Sequence, residues 1–576
     1  MNSHANPALR LRLPAWRARM VLLAVMAWFC VLAGRAFYLQ GMHNDFLQQE
    51  GDARYSRVIE ITAHRGMITD RSGEPLAIST PVESVWASPA DVEITPQKQK
   101  QLARLLGIDN TEISKRLHER DREFVYLKRQ LSPEDAAKIV QLGIPGVFLQ
   151  REYRRYYPAG EVMAHLLGFT DIDDNGQEGL ELAYQDWLAG KPGSRRVIKD
   201  RLGHIVEDVE SIKVPQEGHA LTLSIDGKIQ YLAYREIKQA VEMQRARAGG
   251  IVVLDARTGE VLALASVPSY NPNNRTKFNP RRTRNRVITD LFEPGSTLKP
   301  FTIAAALEAG VVTPNSVIET APGEFNVGNA TIHDAHREGA LTVAQIIQKS
   351  SNIGAAKIAL SLTSQSLWNI FNRVGFGTTP RSGFPGEASG KLRSYKTWRP
   401  IEQATMSYGH GISVSLIQLA RAYTIFATDG KLLPLSLLKL NSAPSGNRVI
   451  SAATARAVRN MLELVVEPGG TAPRAQILGY RVAGKTGTAH KLEDGSYVGD
   501  RYVSSFVGMA PASAPRLIVA VMLDEPSAGE YYGGIVAAPV FSRVTAGALR
   551  SLDIPPDAPA NTVLPPADLP VVKEEV

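Results

Sequence analysis

The chain has 576 residues, a formal net charge of +8, 44% hydrophobic residues and one cysteine. That length implies more than one domain. Its lysines and arginines are mostly scattered, and it shows neither zinc-ligand spacing nor a nucleotide-binding glycine loop, which argues against nucleic-acid, zinc and nucleotide-dependent classes. With Cys30 alone, the chain has no intramolecular disulfide; a large domain can bury a sufficient core without one.

In chain order, residues 1–19 form a short arm carrying Arg10, Arg12, Arg17 and Arg19. Residues 20–40 read as a transmembrane anchor. The uncharged run from Met20 to Gly34 falls short of the roughly 20 residues a spanning helix needs. Arg35 interrupts the apolar character, but Ala36-Phe37-Tyr38-Leu39 continues it, and an arginine at a span's end can snorkel to the interface. Arginines before the span and few directly after it place the arm in the cytoplasm and the bulk outside. A cleaved signal peptide is the rival reading; no convincing small-x-small site follows the apolar run.

Residues 41–218 are charged and hold no set of chemistry-bearing motifs. Residues 219–550 alternate strand and helix signals. Ile251–Asp255 and Val261–Ala265 flank a Thr258-Gly259 turn, a hairpin pattern. Tyr502–Met509 and Leu517–Leu523 read as two later strands. The expectation is an α+β, multidomain chain with helices packed on an antiparallel sheet. The arginine-rich run Arg281–Arg286 reads as a solvated loop. Residues 551–576, rich in proline and acidic side chains, read as a disordered tail.

The chemistry concentrates in three short motifs. Ser296-Thr297-Leu298-Lys299 comes first, Ser350-Ser351-Asn352 second, and Lys485-Thr486-Gly487 third. A lone S-x-x-K is common by chance; all three in this order resemble the set shared by class A β-lactamases and penicillin-binding proteins. A serine hydroxyl is a weak nucleophile until a neighbour takes its proton. Residues three apart share a helix face, so Lys299 can reach Ser296. Glu293-Pro294-Gly295 reads as a helix start, Phe301–Gly310 as its continuation, and Pro300 is tolerable in the first turn. Lysine must be neutral to act as a base, and burial with a second cation lowers its pKa; Lys485 is the candidate cation. Ser350 can relay a proton to or from a leaving amine. Asn352 can accept from Lys299 and donate to a substrate carbonyl. The segment Gly479–Ala489 reads as an exposed strand to which an extended peptide could add. Thr486 and Thr488 then offer hydroxyls to a terminal carboxylate, and Gly487 leaves room for the substrate backbone.

Further stretches resemble the class B penicillin-binding proteins, and among them the division-specific (septal) transpeptidases of Gram-negative bacteria. They are Arg65–Ala77, Arg154–Gly160, Gly179-Leu180-Glu181 with Tyr184 and Leu188-Ala189-Gly190, Phe292–Ser296, and Tyr408-Gly409-His410-Gly411. The resemblance implies an elongated pedestal or dimerisation-type module over 41–218 and a transpeptidase domain over 219–550 with a serine β-lactamase-like fold. It implies that Ser296 attacks the penultimate D-alanine of a stem peptide and that a neighbouring amine completes a D,D-cross-link. The oxyanion would lie between the backbone amides of Ser296 and Thr488. β-Lactams would acylate Ser296, no metal or organic cofactor is required, and membrane division proteins, including a glycan polymerase, would dock on the pedestal. His410 and His490 depart from the aromatic and basic residues expected there. Charging of both at acid pH is the sharper reading, and neutral drift the plainer one. Tyr502, Tyr531 and Tyr532 are candidates for an aromatic wall beside the cleft. A D,D-carboxypeptidase or a condition-specific paralogue stays open; a β-lactamase or a scaffold has less in its favour.

Overall fold

The computed structural model describes residues 15–39, 56–118, 122, 124–199, 205–275, 279–493, 496–559 and 572–574. Arg10, Arg12 and tail residues 560–571 lie outside them.

Helix α1, Ala15–Phe37, contains no acidic residue and buries no side chain. Its 23 residues extend the uncharged run backwards through Arg19 and Arg17. At 1.5 Å per residue such a helix is about 35 Å long, against a hydrocarbon core of about 30 Å. Its length and composition are consistent with a membrane anchor. Arg35 lies 5.7 Å from the Tyr38 ring centroid, a cation–π contact at the helix end.

The chain divides into two compact units, α1 falling in the first, that interleave along the sequence. One draws on 1–63, 81–152 and 191–216, the other on 64–80, 153–190 and 217–576. The first holds an antiparallel sheet of Ser56–Ile61, Gly193–Lys199 and Ile205–Lys213. It also holds three short helices capped by Thr95, Asp109 and Ser132, whose hydroxyl or carboxylate oxygens accept from free first-turn amides. Leu102, Leu106, Ile113, Leu127 and Ile139 form its core.

The second unit is built on a five-stranded antiparallel sheet. Its strands are β1 (Ala248–Asp255), β2 (Val261–Val267), β3 (Ala483–Glu493), β4 (Ser496–Ala510) and β5 (Leu517–Asp524), in the order β2-β1-β5-β4-β3. The hairpin expected around Thr258-Gly259 is the β1–β2 pair. β1 and β5 are buried at every position but the last, as strands covered on both faces must be. Successive side chains on a strand point to opposite faces. A Cβ on Gly249 would meet Val241 and Ile237 of helix α2 (Gly227–Met243), whereas one on Gly250 would meet Val287 and Leu416. Helices therefore cover both faces, the α+β arrangement the sequence implied.

The same unit gathers three of the family-like stretches around one buried carboxylate. Glu181 accepts from Arg65 Nε at 2.8 Å and from Arg155 Nε at 2.7 Å. Arg65 also donates to Gln185 Oε1 and to the carbonyls of Asp174 and Glu181; Arg155 donates to Ser79 Oγ. All three charged side chains are buried. Removing Glu181 would leave two buried guanidinium groups without their shared counter-ion.

Candidate active site

Ser296 lies in a 3₁₀ turn, Gly295–Leu298, and Lys299 begins helix α3, Lys299–Glu308. The helix expected through Ser296 is thus tighter at its start. Pro300 falls in the first α turn, where its missing N–H has no helical partner to lose. Thr297 Oγ1 donates to Pro294 O and Tyr423 OH donates to Thr297 O, at 2.7 and 2.8 Å, which fixes the turn from both sides. Lys299 Nζ lies 2.8 Å from Ser296 Oγ.

The second motif joins helix α4 (Val343–Lys349) to helix α5 (Asn352–Leu360). Ser350 is the residue after α4 and adopts φ 63°, ψ 37°, a left-handed conformation that costs a non-glycine residue roughly 1–2 kcal/mol. Such strain persists where the surroundings impose it. Here Ser350 Oγ lies between two ammonium groups, 3.1 Å from Lys299 Nζ and 2.8 Å from Lys485 Nζ. Lys299 Nζ also donates to Asn352 Oδ1 at 2.8 Å and to Ser350 O at 2.5 Å.

Asp334 completes this motif, and the sequence reading missed it. Its carboxylate accepts from Ser351 Oγ (2.6 Å), Asn352 N (2.6 Å) and Ile353 N (3.0 Å). It therefore fills the N-terminus of α5, where free amides and the helix dipole favour an anion. It sits just past the strand Ala330–His333, far from the S-x-N triplet in sequence, so no short motif reveals it.

The third motif lies on β3, the sheet's edge strand. Lys485, Thr486 and Thr488 are nevertheless buried. Gly487 has a packing reason beside the expected one. A Cβ there would lie 2.7 Å from Pro294 O, 2.6 Å from Ser505 Oγ and 2.9 Å from Thr297 Cγ2. The glycine is required first by the nucleophile's own turn, which packs against the strand. A Cβ on Gly295 would in turn lie 3.1 Å from Thr488 O and 3.5 Å from Thr488 N, so the segments bearing Ser296 and Thr488 are adjacent. Thr488 Oγ1 accepts from Gly533 N at 3.1 Å.

Burial is the chief force on the two lysines, both wholly inaccessible. It lowers the Lys299 ammonium, with help from the Lys485 charge, to about 7. Burial also lowers Lys485, but there the Glu574 carboxylate opposes it. Lys299 is thus the group poised to be neutral near neutral pH.

The aromatic residues divide. Tyr408 packs in a satellite core with Val327, Ile332, Ile353, Ala356 and Ala404. Tyr502 stacks on Tyr531 with centroids 3.9 Å apart, Tyr531 stacks on Tyr532 at 4.5 Å, and His490 lies 4.7 Å from Tyr502. His410 contacts Tyr408 and Tyr497. Burial, then the charge of Lys299, push the His410 imidazole down to about 4. A lowered value favours the plainer of the two readings for His410, in which it stays neutral through mildly acid pH. Tyr497, unremarked in the sequence, donates to Glu293 Oε2 at 3.1 Å, and Glu293 Oε1 accepts from Gly411 N. The proline- and acid-rich run after Ser551, read as disordered, contains a tethered stretch. Asp557 accepts from Arg481 N and from Ser513 N and Oγ. Glu574 reaches Lys485 Nζ at 2.8 Å.

Comparison with known proteins assigns the family. Residues 249–546 match the penicillin binding protein transpeptidase domain, and residues 60–223 the penicillin-binding protein dimerisation domain. The chain belongs to the penicillin-binding proteins, in their class B, division type. It is 44% identical to the probable peptidoglycan D,D-transpeptidase PenA of Neisseria gonorrhoeae over 94% of each chain. It is 44% identical to the peptidoglycan D,D-transpeptidase FtsI of Escherichia coli (strain K12), over 94% of this chain and 93% of that one. The apo transpeptidase domain of Burkholderia pseudomallei penicillin-binding protein 3 is 51% identical, with a TM-score of 0.55 over 58% of this chain and 98% of that one.

Proposed function

We propose that this chain is a serine-type peptidoglycan D,D-transpeptidase of septal wall synthesis, with Ser296 as nucleophile and Lys299 as its base. One observation carries the reading. Lys299 Nζ, depressed to about 7, lies 2.8 Å from Ser296 Oγ, and Ser350 Oγ joins it to Lys485. A base near the operating pH is the most effective proton acceptor.

Lys299 takes the Ser296 proton as Oγ attacks the carbonyl of the penultimate D-alanine. The tetrahedral oxyanion is held by the amides of Ser296 and Thr488, where one donor is typically worth about 3–4 kcal/mol. The C–N bond breaks as Ser350 gives a proton to the departing D-alanine amine and regains one from the Lys299 ammonium, with Lys485 as the charge behind it. Asn352 holds Lys299 and a substrate carbonyl. Lys485, Thr486 and Thr488 take the terminal carboxylate, His410, His490, Tyr502, Tyr531 and Tyr532 line the approach, and Tyr408 backs His410 from the satellite core. An amine of a neighbouring stem then attacks the ester carbonyl and loses a proton to Lys299, which returns it to Ser296 Oγ as the ester C–O bond breaks. A β-lactam follows the first half and stalls at the ester.

In this reading α1 crosses the bacterial inner membrane once. The arm is cytoplasmic and the transpeptidase region, residues 219–550, is periplasmic. Residues 41–218 serve as a pedestal and as the docking surface for membrane division proteins, among them a glycan polymerase. Supplied with nascent glycan bearing D-Ala-D-Ala stems, the full chain should produce cross-linked stem dimers and Ser296→Ala none. Trimmed stems without dimers would instead establish a carboxypeptidase.

A further inference from the structure

The segment Val572–Glu574 occupies the position the proposed mechanism assigns to the substrate's carboxylate. Glu574 Oε1 accepts from Lys485 Nζ at 2.8 Å and from Thr486 Oγ1. Thr486 Oγ1 also lies 2.7 Å from Thr471 Oγ1, so the carboxylate enters an existing set of hydroxyls. Glu574 is 5% exposed, and its other oxygen, Oε2, is buried with no hydrogen-bond partner among the described residues. Lys573 sets its Nζ 5.3 Å from the centroid of Tyr532, the outer ring of the aromatic stack. The contact thus uses both an anion on the K-T-G strand and a cation on the adjoining aromatic surface.

The segment is tethered close by. Ala558 N donates to Gly479 O, Tyr480 OH donates to Ile554 O at 2.5 Å, and Asp557 accepts from Arg481 N at 2.7 Å. These anchors lie on the stretch that leads directly into β3, a few residues before Lys485. Sixteen residues, 558–573, separate Asp557 from Glu574. At up to about 3.3 Å each they could span far more than the few strand positions between the two points.

We propose that Val572–Glu574 is a tethered pseudo-substrate, whose Glu574 carboxylate competes with the carboxylate of a D-Ala-D-Ala stem or a β-lactam for Lys485 and Thr486. The proposal rests on the transpeptidase reading of that site. A side-chain carboxylate presents the anion the site binds without a scissile amide at the matching distance, so it occupies the site without being consumed. It acts on the chemistry as well. The Glu574 charge draws the Lys299 ammonium up, against burial and Lys485, and so opposes the neutral base. Removing the segment should free both the subsite and the base.

A short tether gives an effective concentration of about 1 mM, so a segment with an intrinsic Kd of about 0.1 mM would slow acylation roughly tenfold. The test is the second-order rate of acylation by a fluorescent penicillin. It is measured on the full chain, on Glu574→Gln and on a chain ending at Pro559. The two altered chains should each react about tenfold faster than the full chain, and the capped tripeptide Val-Lys-Glu, but not Val-Lys-Gln, should slow the shortened one competitively. Equal rates for all three chains would overturn the proposal. So would a full-chain rate that falls as protein concentration rises, which would place the carboxylate in a second copy. Loss of label in Ser296→Ala, with equal rates elsewhere, would reject the pseudo-substrate and leave the serine mechanism standing.

Discussion

Lys299 and Lys485 hold a single hydroxyl between them: Ser350 Oγ accepts at 3.1 Å from the first and 2.8 Å from the second. Burial, with the Lys485 charge beside it, brings Lys299 to about 7. Lys299 must be neutral to accept the Ser296 proton. Acylation by a β-lactam should therefore be slow below about pH 6, rise through an apparent pKa near 7, and level off above it. Lys485→Gln should lower the rate and shift the inflection to higher pH, because the second cation no longer depresses the first. Stopped-flow acylation across the range measures both, and a profile flat from about pH 5 to about pH 9 would contradict the assignment.

His410 should contribute nothing to that profile above about pH 5, since its imidazole is held near 4. Wild type and His410→Tyr are expected to give parallel curves there, whatever their absolute rates. A separate inflection near 6.5 that disappears in His410→Tyr would show that the ring titrates as an ordinary histidine.

Gly487→Ala should be damaging for a reason internal to the protein. The added Cβ would press on Pro294 O, Ser505 Oγ and Thr297 Cγ2, two of which belong to the turn that carries Ser296. Overpacking of this kind costs about 1–3 kcal/mol. The expected result is a lower Tm together with at least about a hundredfold slower acylation, because small misplacements of a nucleophile are expensive in rate. Unchanged acylation at a lowered Tm would place the strain elsewhere.

Asp334→Asn tests the support under the second motif. It keeps the shape but removes the anion that Ser351 Oγ and the amides of Asn352 and Ile353 share. Loss of such a helix-terminal anion costs about 1 kcal/mol in stability. Acylation should fall about tenfold or more as Asn352 loosens from Lys299. Thermal unfolding and labelling rates, read on one preparation, separate the two effects.

Glu181→Gln tests the other buried charge cluster. Arg65 and Arg155, both buried, would lose their common counter-ion. Breaking a buried pair from one side costs about 3–5 kcal/mol. A marked drop in Tm is expected, with the acylation rate of the surviving folded fraction little changed, since Glu181 belongs to the fold of this unit and has no part in the proposed chemistry.

Sequence alone revealed the residues whose spacing is local. Ser296 and Lys299 sit three apart on one turn, Ser350 and Asn352 flank one helix start, and Lys485 to Thr488 lie on one strand. The hairpin around Thr258-Gly259 and the two later strands were legible for the same reason, since alternation and turn chemistry are short-range. Relations closed by the tertiary fold were not. Asp334 reaches its helix from a separate hairpin, and Glu574 comes from a stretch whose composition signals disorder. The requirement at Gly487 is set by Pro294 and Thr297, far away in sequence. Nor does a serine announce that it will sit at φ 63°, as Ser350 does.

Every step proposed for this chain passes through an acyl-enzyme on Ser296. Its most direct test is mass-spectrometric mapping of the adduct after brief exposure of the full chain to penicillin. One penicilloyl group is expected, on the peptide containing Ser296, and none in a folded Ser296→Ala chain. An adduct on any other residue, or an undiminished adduct in Ser296→Ala, would contradict it.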